Sequence, residues 1–267
     1  MNRFTFSMVA ALALVVTSPN ARAIVLDWDT VSWTAGSLSN SYDIDPSNPG
    51  NDITVAVTAN GGAAFQPEVV SPYPMTPATS QSFQGGLATT ENTLCLALNL
   101  ASNAQSVTIT VSLSSLYTAG VTNVSFKVFD IDFVNGDGSA YQDQLSSIRA
   151  LSIDGTTLIA PTITISPNNS LSGSGINQVV TGTAATSDLG AGSADGNVTI
   201  DFGPNAIKSF TFTYGSGPLF ADPTFQHVGI YDISFTPVPE MNPAWPSVLS
   251  CAAAAGLVLR LRKRARK

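Results

Sequence analysis

Cysteine, histidine and positive charge are the scarce commodities of this chain. Two cysteines, Cys95 and Cys251, occur in 267 residues, and the second lies in an apolar run near the C-terminus. No disulfide frame is expected, so the fold has to be held by packing, with Cys95 as a small buried hydrophobe. One histidine and no Cys/His cluster exclude a structural zinc site. A Ser-His-Asp triad would have His227 as its sole base, and no Gly-x-Ser-x-Gly supplies a nucleophile, so His227 is expected to be a loop residue. Between Ile24 and Thr236 the only bases are Lys127, Arg149 and Lys208, against seventeen acids, a formal charge of −14 (three minus seventeen). Such a body repels phosphate backbones, which excludes nucleic acid as a partner, and attracts divalent cations. Fifteen of those acids are aspartate, the short carboxylate of turns and Ca²⁺ loops.

Helical periodicity and internal repeats are missing from the body, but alternation is abundant. Ile53, Val55 and Val57 alternate with Thr54, Ala56 and Thr58. Val107, Ile109, Val111 and Leu113 alternate with Thr108, Thr110 and Ser112. Phe210, Phe212 and Tyr214 continue the theme between small polar residues. A period of two in β-branched and aromatic residues predicts half-buried strands. Strands are expected at 24–33, 53–59, 92–100, 106–113, 122–133, 145–153, 157–165, 197–202, 210–214 and 227–236. Asp154-Gly155 predicts a tight hairpin. Two long loops, 61–91 and 166–196, are expected to lack strands. About ten antiparallel strands favour an all-β fold, a single β-sandwich of jelly-roll type. Two small Ig-like domains with a seam in 166–196 are the alternative.

The two ends have their own chemistry. Met1–Ala23 has a basic start at Arg3, an apolar stretch from Phe4 to Val16, and Ala21-Arg22-Ala23 as a small-x-small cleavage site: a secretory signal peptide, leaving Ile24 first. After Pro237 comes a proline-rich break, an apolar run over 244–259, and six basic residues within 260–267. Sixteen apolar residues are short of the roughly 20 of a comfortable span, so a short transmembrane helix is expected. The basic end predicts a cytoplasmic tail and a body outside the inner membrane. The chain thus divides into 1–23, 24–236 and 237–267.

Within the body, the stretch from Phe126 to Gly138 concentrates carboxylates. Asp130 and Asp132, if on a strand, project from one face about 6.5–7 Å apart and call for a cation or several donors. Asn135, Asp137 and Asp143 follow and could complete an oxygen shell, for which Ca²⁺ is the fitting ion. The spacing is not that of an EF-hand, since Val134 occupies the third ligand position and no glutamate closes the loop. The competing expectation is that these aspartates cap turns through backbone N–H groups. Asp43, Asp45, Asn48, Asn51 and Asp52 are expected to form a solvated loop. Glycoside hydrolysis needs a facing carboxylate pair, and nothing singles one out; Glu68 and Glu91 are the only glutamates of the body. Trp28, Trp33, Tyr42, Tyr73, Tyr117 and Tyr141 offer rings for stacking on sugars or for the core.

Val238-Pro239-Glu240, the short apolar run and the arginine-rich end together resemble a PEP-CTERM sorting domain. Pro239 and Glu240 match the first two positions of the Pro-Glu-Pro motif, while Met241 stands in place of the second proline and Pro243 follows. The resemblance covers about the last thirty residues and the presence of a signal peptide. It implies export in a Gram-negative bacterium, transient inner-membrane anchoring, recognition by an exosortase-type processing enzyme, and delivery to the cell surface or a polysaccharide-rich extracellular matrix. For the body, the expectation is a non-enzymatic carbohydrate- or envelope-binding protein, stabilised by Ca²⁺. A secreted polysaccharide hydrolase with an aspartate pair and a purely structural matrix protein are the alternatives.

Overall fold

Strand covers most of the body where β-branched and aromatic residues alternate with Ser and Thr. The computed structural model describes residues 22–65, 75–87, 91–136, 139–185 and 193–239. The strands are β1 (Ile24–Leu26), β2 (Ser39–Tyr42), β3 (Ile53–Asn60), β4 (Ala64–Phe65), β5 (Ala78–Ser80) and β6 (Thr93–Asn99). They continue as β7 (Ser106–Leu113), β8 (Val121–Phe129), β9 (Phe133–Gly136), β10 (Ser139–Ser152), β11 (Leu158–Ile159) and β12 (Thr162–Ile165). The last six are β13 (Asn169–Ser172), β14 (Val179–Gly182), β15 (Val198–Asp201), β16 (Ile207–Ser216), β17 (Phe225–Ile230) and β18 (Ile233–Pro237). A single 3₁₀ turn, Gly175–Asn177, is the only helical element among the described residues.

All the pairings are antiparallel, and the strands link into one curled sheet. One part runs β13-β14-β10-β16-β7-β3-β2. The other centres on β8, with β15 and β12 on one side and β18 and β17 on the other; β1 flanks β18 and β6 flanks β17. A single bridge, Ile207 to Val121, joins β16 to β8 where the sheet turns. Curling brings inner faces together: Phe126 of β8 stacks on Phe210 and Phe212 of β16, with ring centroids 4.9 and 5.3 Å apart. Burying each such ring contributes about 2–3 kcal/mol.

The near-continuous apolar run of β6 is buried on both faces. Leu94, Leu96 and Leu98 join the main core, while Cys95 packs with Phe83 and Phe129 in a smaller one. The segment from Met75 to Leu87 covers that second face. Thr76 ties it down, its hydroxyl donating to the carbonyl of Ala97 at 2.9 Å and accepting from the Ala97 amide at 3.0 Å.

Several sequence expectations are corrected. The first strand stops at Leu26, because Thr30 N–H closes a turn on the Asp27 carbonyl and the Asp27 carboxylate accepts from the Asp29 amide. The loops 61–91 and 166–196 contain β4, β5, β13 and β14. Asp154-Gly155 does connect paired strands, β10 and β11, but the turn is wider than a two-residue hairpin: Ser152 N–H bonds the Thr157 carbonyl. Only Gly155 takes positive φ, at 76°. Asp154 accepts from the amides of Thr156 and Thr157 and the Thr157 hydroxyl, which holds its pKa low. The signal peptide up to Ala21 and the segment 240–267, including the expected helix at 244–259, lie outside the described residues.

Candidate functional site: carboxylates at the root of a hairpin

The expected strand over 122–133 ends at Phe129. Asp130 adopts φ 67°, in the left-handed region that aspartate tolerates better than most residues. Asp130-Ile131-Asp132 is therefore a bend rather than strand, and the inference that its two carboxylates project from one strand face falls with it. The chain then enters the β9–β10 hairpin, where Phe133 pairs with Gln142 and Val134 with Tyr141. At its root Asp143 N–H donates to the Asp132 carbonyl at 2.8 Å, and Asp132 N–H donates to Asp143 Oδ2 at 3.2 Å. Alternation puts Asp132, Val134, Tyr141 and Asp143 on one face of the hairpin, and Asp132 bonds the Tyr141 hydroxyl there. Asn135, opposite Ala140, falls on the other face and is exposed.

Three carboxylates are thereby taken out of water: Asp130 is 4% exposed, Asp132 4% and Asp143 0%. Two more strands complete the surroundings. From β16, Tyr214 Oη lies 2.6 Å from Asp143 Oδ1 and 3.0 Å from the carbonyl of His227. From β17, His227 Nε2 lies 3.5 Å from Asp130 Oδ2, with its ring against Phe83 at 4.9 Å. His227 is thus a strand residue in the interior, not a loop residue. Burial lowers its pKa to about 4, so it is neutral at pH 7 and brings no cation to the cluster.

Burial, and then the charges of Asp132 and Asp130, push Asp143 well above the ordinary carboxyl range; the Tyr214 hydroxyl and the Asp132 amide oppose this. Burial and the same carboxylates push the phenols of Tyr141 and Tyr214 upward. Proton counting agrees. Tyr214 has one proton and two acceptors within reach. The Tyr214 hydroxyl is therefore shared between Asp143 Oδ1 and the His227 carbonyl, and a proton on Asp143 would relieve that competition.

Of the five expected Ca²⁺ ligands, the fold gathers Asp130, Asp132 and Asp143, turns Asn135 away, and leaves Asp137 outside the described residues. Among the described residues, no group of three His, Cys, Asp or Glu side chains is placed to hold a metal ion. Sequence reasoning missed Tyr214 and His227, which reach the cluster from 71 and 97 positions beyond Asp143 and Asp130.

The loop expected to be solvated is so at Asp43 and Asn51, but its Asp45 and Asp52 form a second buried aspartate group. Asp52 is 0% exposed; its Oδ2 accepts from the amides of Ile44 and Asp45 at 2.8 and 2.7 Å, and its Oδ1 from the Tyr117 hydroxyl at 2.7 Å. Asp45 in turn accepts from the amide and hydroxyl of Ser47 and from Asn48. These bonds close the 43–52 loop onto β3.

The rings considered for sugar stacking are core. Trp28 meets Trp33 and Tyr42 edge-on at 6.3 and 6.1 Å, and Tyr117 packs on Phe235 at 5.8 Å. Tyr141 is buried at the cluster, and Tyr73 lies outside the described residues. Comparison with protein-family models, curated proteins and solved structures finds no match to this chain.

Proposed function

We propose that this chain is exported to the cell surface or extracellular matrix of a Gram-negative bacterium, where its β body binds carbohydrate or another envelope component without hydrolysing it. The ends support the address. β1 begins at Ile24, immediately after the cleavage site at Ala23. Among the described residues the backbone bonds end with Val238 N–H to the Gly120 carbonyl at 3.0 Å, just before an exposed Pro239, where the proposed sorting element Pro239-Glu240 begins. An exosortase-type enzyme would remove the tail from there.

The observation that carries the non-hydrolytic part is the burial of Asp130, Asp132 and Asp143. A glycosidase pair has to flank an accessible glycosidic bond, one member as acid and the other as nucleophile or base. These three carboxylates are sealed by Tyr141, Tyr214 and His227 and serve the fold as an internal brace. The proposed architecture is a two-layer sandwich of jelly-roll type.

Cell fractionation with mass spectrometry of the surface form tests the address: the expected mature chain starts at Ile24 and ends near Pro239–Met241. An intact Lys267 on that form would contradict processing. Incubation with a panel of neutral glycans tests the activity, with binding expected and no shorter products; released oligosaccharide that is absent from heat-inactivated controls would restore the hydrolase.

A further inference from the structure

Charge is distributed unevenly over the strands. β2, β3, β7 and β16, of 4, 8, 8 and 10 residues, lie side by side and contain no carboxylate and one base, Lys208. That is a notable void in a body with seventeen acids. Their inward residues are the core apolars; their outward residues are mostly Ser and Thr held in register, with Ala56 in the middle row and Lys208 exposed near the start of β16. Thr58, Thr108 and Thr213 form one row across three strands. Thr54, Ser112 and Ser209 form another. Between these rows Thr110 pairs with Thr211, with Arg149 of β10 at the margin. Rows repeat about 6.8 Å apart along the strands, and neighbouring strands lie about 4.8 Å apart across them.

The hydroxyls are partly pre-ordered by one another: Thr108 and Thr213 lie 3.2 Å apart, Ser41 and Thr54 2.7 Å apart, and Asn60 donates to Thr108 at 2.9 Å. Each hydroxyl can make up to three hydrogen bonds, so capacity is left pointing outward. Threonine is stiff at χ1, so little side-chain entropy is lost when such a row meets a ligand. The opposite outer face lacks this uniformity. There Lys127 of β8 pairs with Thr199, and Asp201 pairs with Ser125.

We infer that the Ser/Thr face of β2, β3, β7 and β16 is the carbohydrate-binding surface, and that it takes a neutral, extended polysaccharide lying flat across the strands. This rests on the reading of the body as a carbohydrate binder. Chemistry selects the ligand class: the four strands carry no carboxylate, and Lys208 and Arg149 lie to the side of the hydroxyl rows, so the centre of the face offers hydroxyls to which a hydroxyl-rich neutral polymer is the complement. Recognition is hydrogen bonding between two hydroxyl lattices, which fits a body whose described tryptophans, and whose described tyrosines apart from the half-buried Tyr231, are committed to the interior.

The test is co-sedimentation of the 24–239 body, as it exists after processing, with insoluble cellulose, chitin and curdlan. Retention on at least one neutral polymer is expected, and it should persist in 0.5 M salt because hydroxyls rather than charges make the contacts. Thr110→Val with Thr211→Val keeps shape and strand propensity, and is expected to weaken retention about tenfold through two lost hydrogen bonds. Thr164→Val with Thr199→Val on the opposite face should leave it unchanged. Wild-type retention that the Thr110/Thr211 pair does not alter would overturn the face while leaving carbohydrate binding intact. Retention on alginate alone, or inhibition of ice recrystallisation without any polymer binding, would overturn the ligand class. A wild-type body that binds no glycan at all would overturn both this inference and the function on which it rests. Matched melting temperatures keep the Val variants interpretable.

Discussion

Asp52 and Asp143 are both fully buried aspartates, yet their neighbours treat them in opposite ways. Asp52 is surrounded by donors: two backbone amides and a tyrosine hydroxyl point at its oxygens. Asp143 has one amide and a tyrosine that must also serve a carbonyl, and it sits beside Asp130 and Asp132. A carboxylate can be buried either by saturating it with donors or by leaving it its proton. Asp52, which closes the 43–52 loop, has the donors of the first solution, whereas Asp143, at the root of the β9–β10 hairpin, has burial and neighbouring carboxylates that disfavour its charge. Burial alone therefore does not tell the two apart; the donor count does.

Substitution by asparagine breaks the comparison most sharply. Asp52→Asn turns one acceptor oxygen into an NH₂ facing donors, and is expected to cost about 2–4 kcal/mol in denaturant unfolding. Tyr214→Phe leaves the His227 carbonyl and Asp143 without their shared partner, and should cost about 1–3 kcal/mol. Tyr117→Phe removes one of three donors from Asp52, and the loss should be near the lower end of that range.

The pH dependence sharpens the same contrast. For a carboxyl raised in the folded state, stability is fully present below its unfolded value of 3.8 and is lost as pH rises through the folded value. Asp143 acts in this way, as does the half-buried Asp232, which burial raises to about 6 despite a bond from the Trp28 amide. His227 has the opposite sign: depressed from 6.5 to about 4, it stays neutral in the fold, and stability is lost as pH falls from 6.5 to 4. His227→Gln should therefore flatten the acid limb of a stability–pH curve below pH 6.5 and leave the alkaline limb intact. The smallest expected effect is that of Ca²⁺. With a proton in the cluster, millimolar Ca²⁺ or EDTA should move the melting temperature by less than about 1 °C; a rise of several degrees with Ca²⁺ would place a cation among the carboxylates instead.

Much of the scaffold was legible in the sequence. The alternation at 53–59, 106–113 and 210–214 corresponds to β3, β7 and β16, since each has one face on the core and one in water. The strands that escaped, β4, β5, β13 and β14 among them, are two to four residues long, with too few apolar positions to show a period. The cluster was half legible: Asp130, Asp132 and Asp143 stood out as carboxylates, but the left-handed turn at Asp130 and the approach of Tyr214 and His227 are tertiary. No local pattern announced that the second aspartate group would be buried, because the donors that make its burial tolerable are backbone amides of its own loop. The Ser/Thr face was visible only as the polar half of each alternation; strand order turned it into a surface.

Burial beside Asp130 and Asp132 disfavours the charged form of Asp143, and the prediction is that it keeps its proton at pH 7. Carbon-13 NMR of protein labelled at the aspartate carboxyls, with Asp143→Asn to assign the resonance, tests it directly. A single resonance at the protonated shift at pH 7, absent from Asp143→Asn while that variant folds as stably as wild type, is the predicted result. A fully ionised Asp143 at pH 7, or an Asp143→Asn variant as damaging as Asp52→Asn, would contradict it.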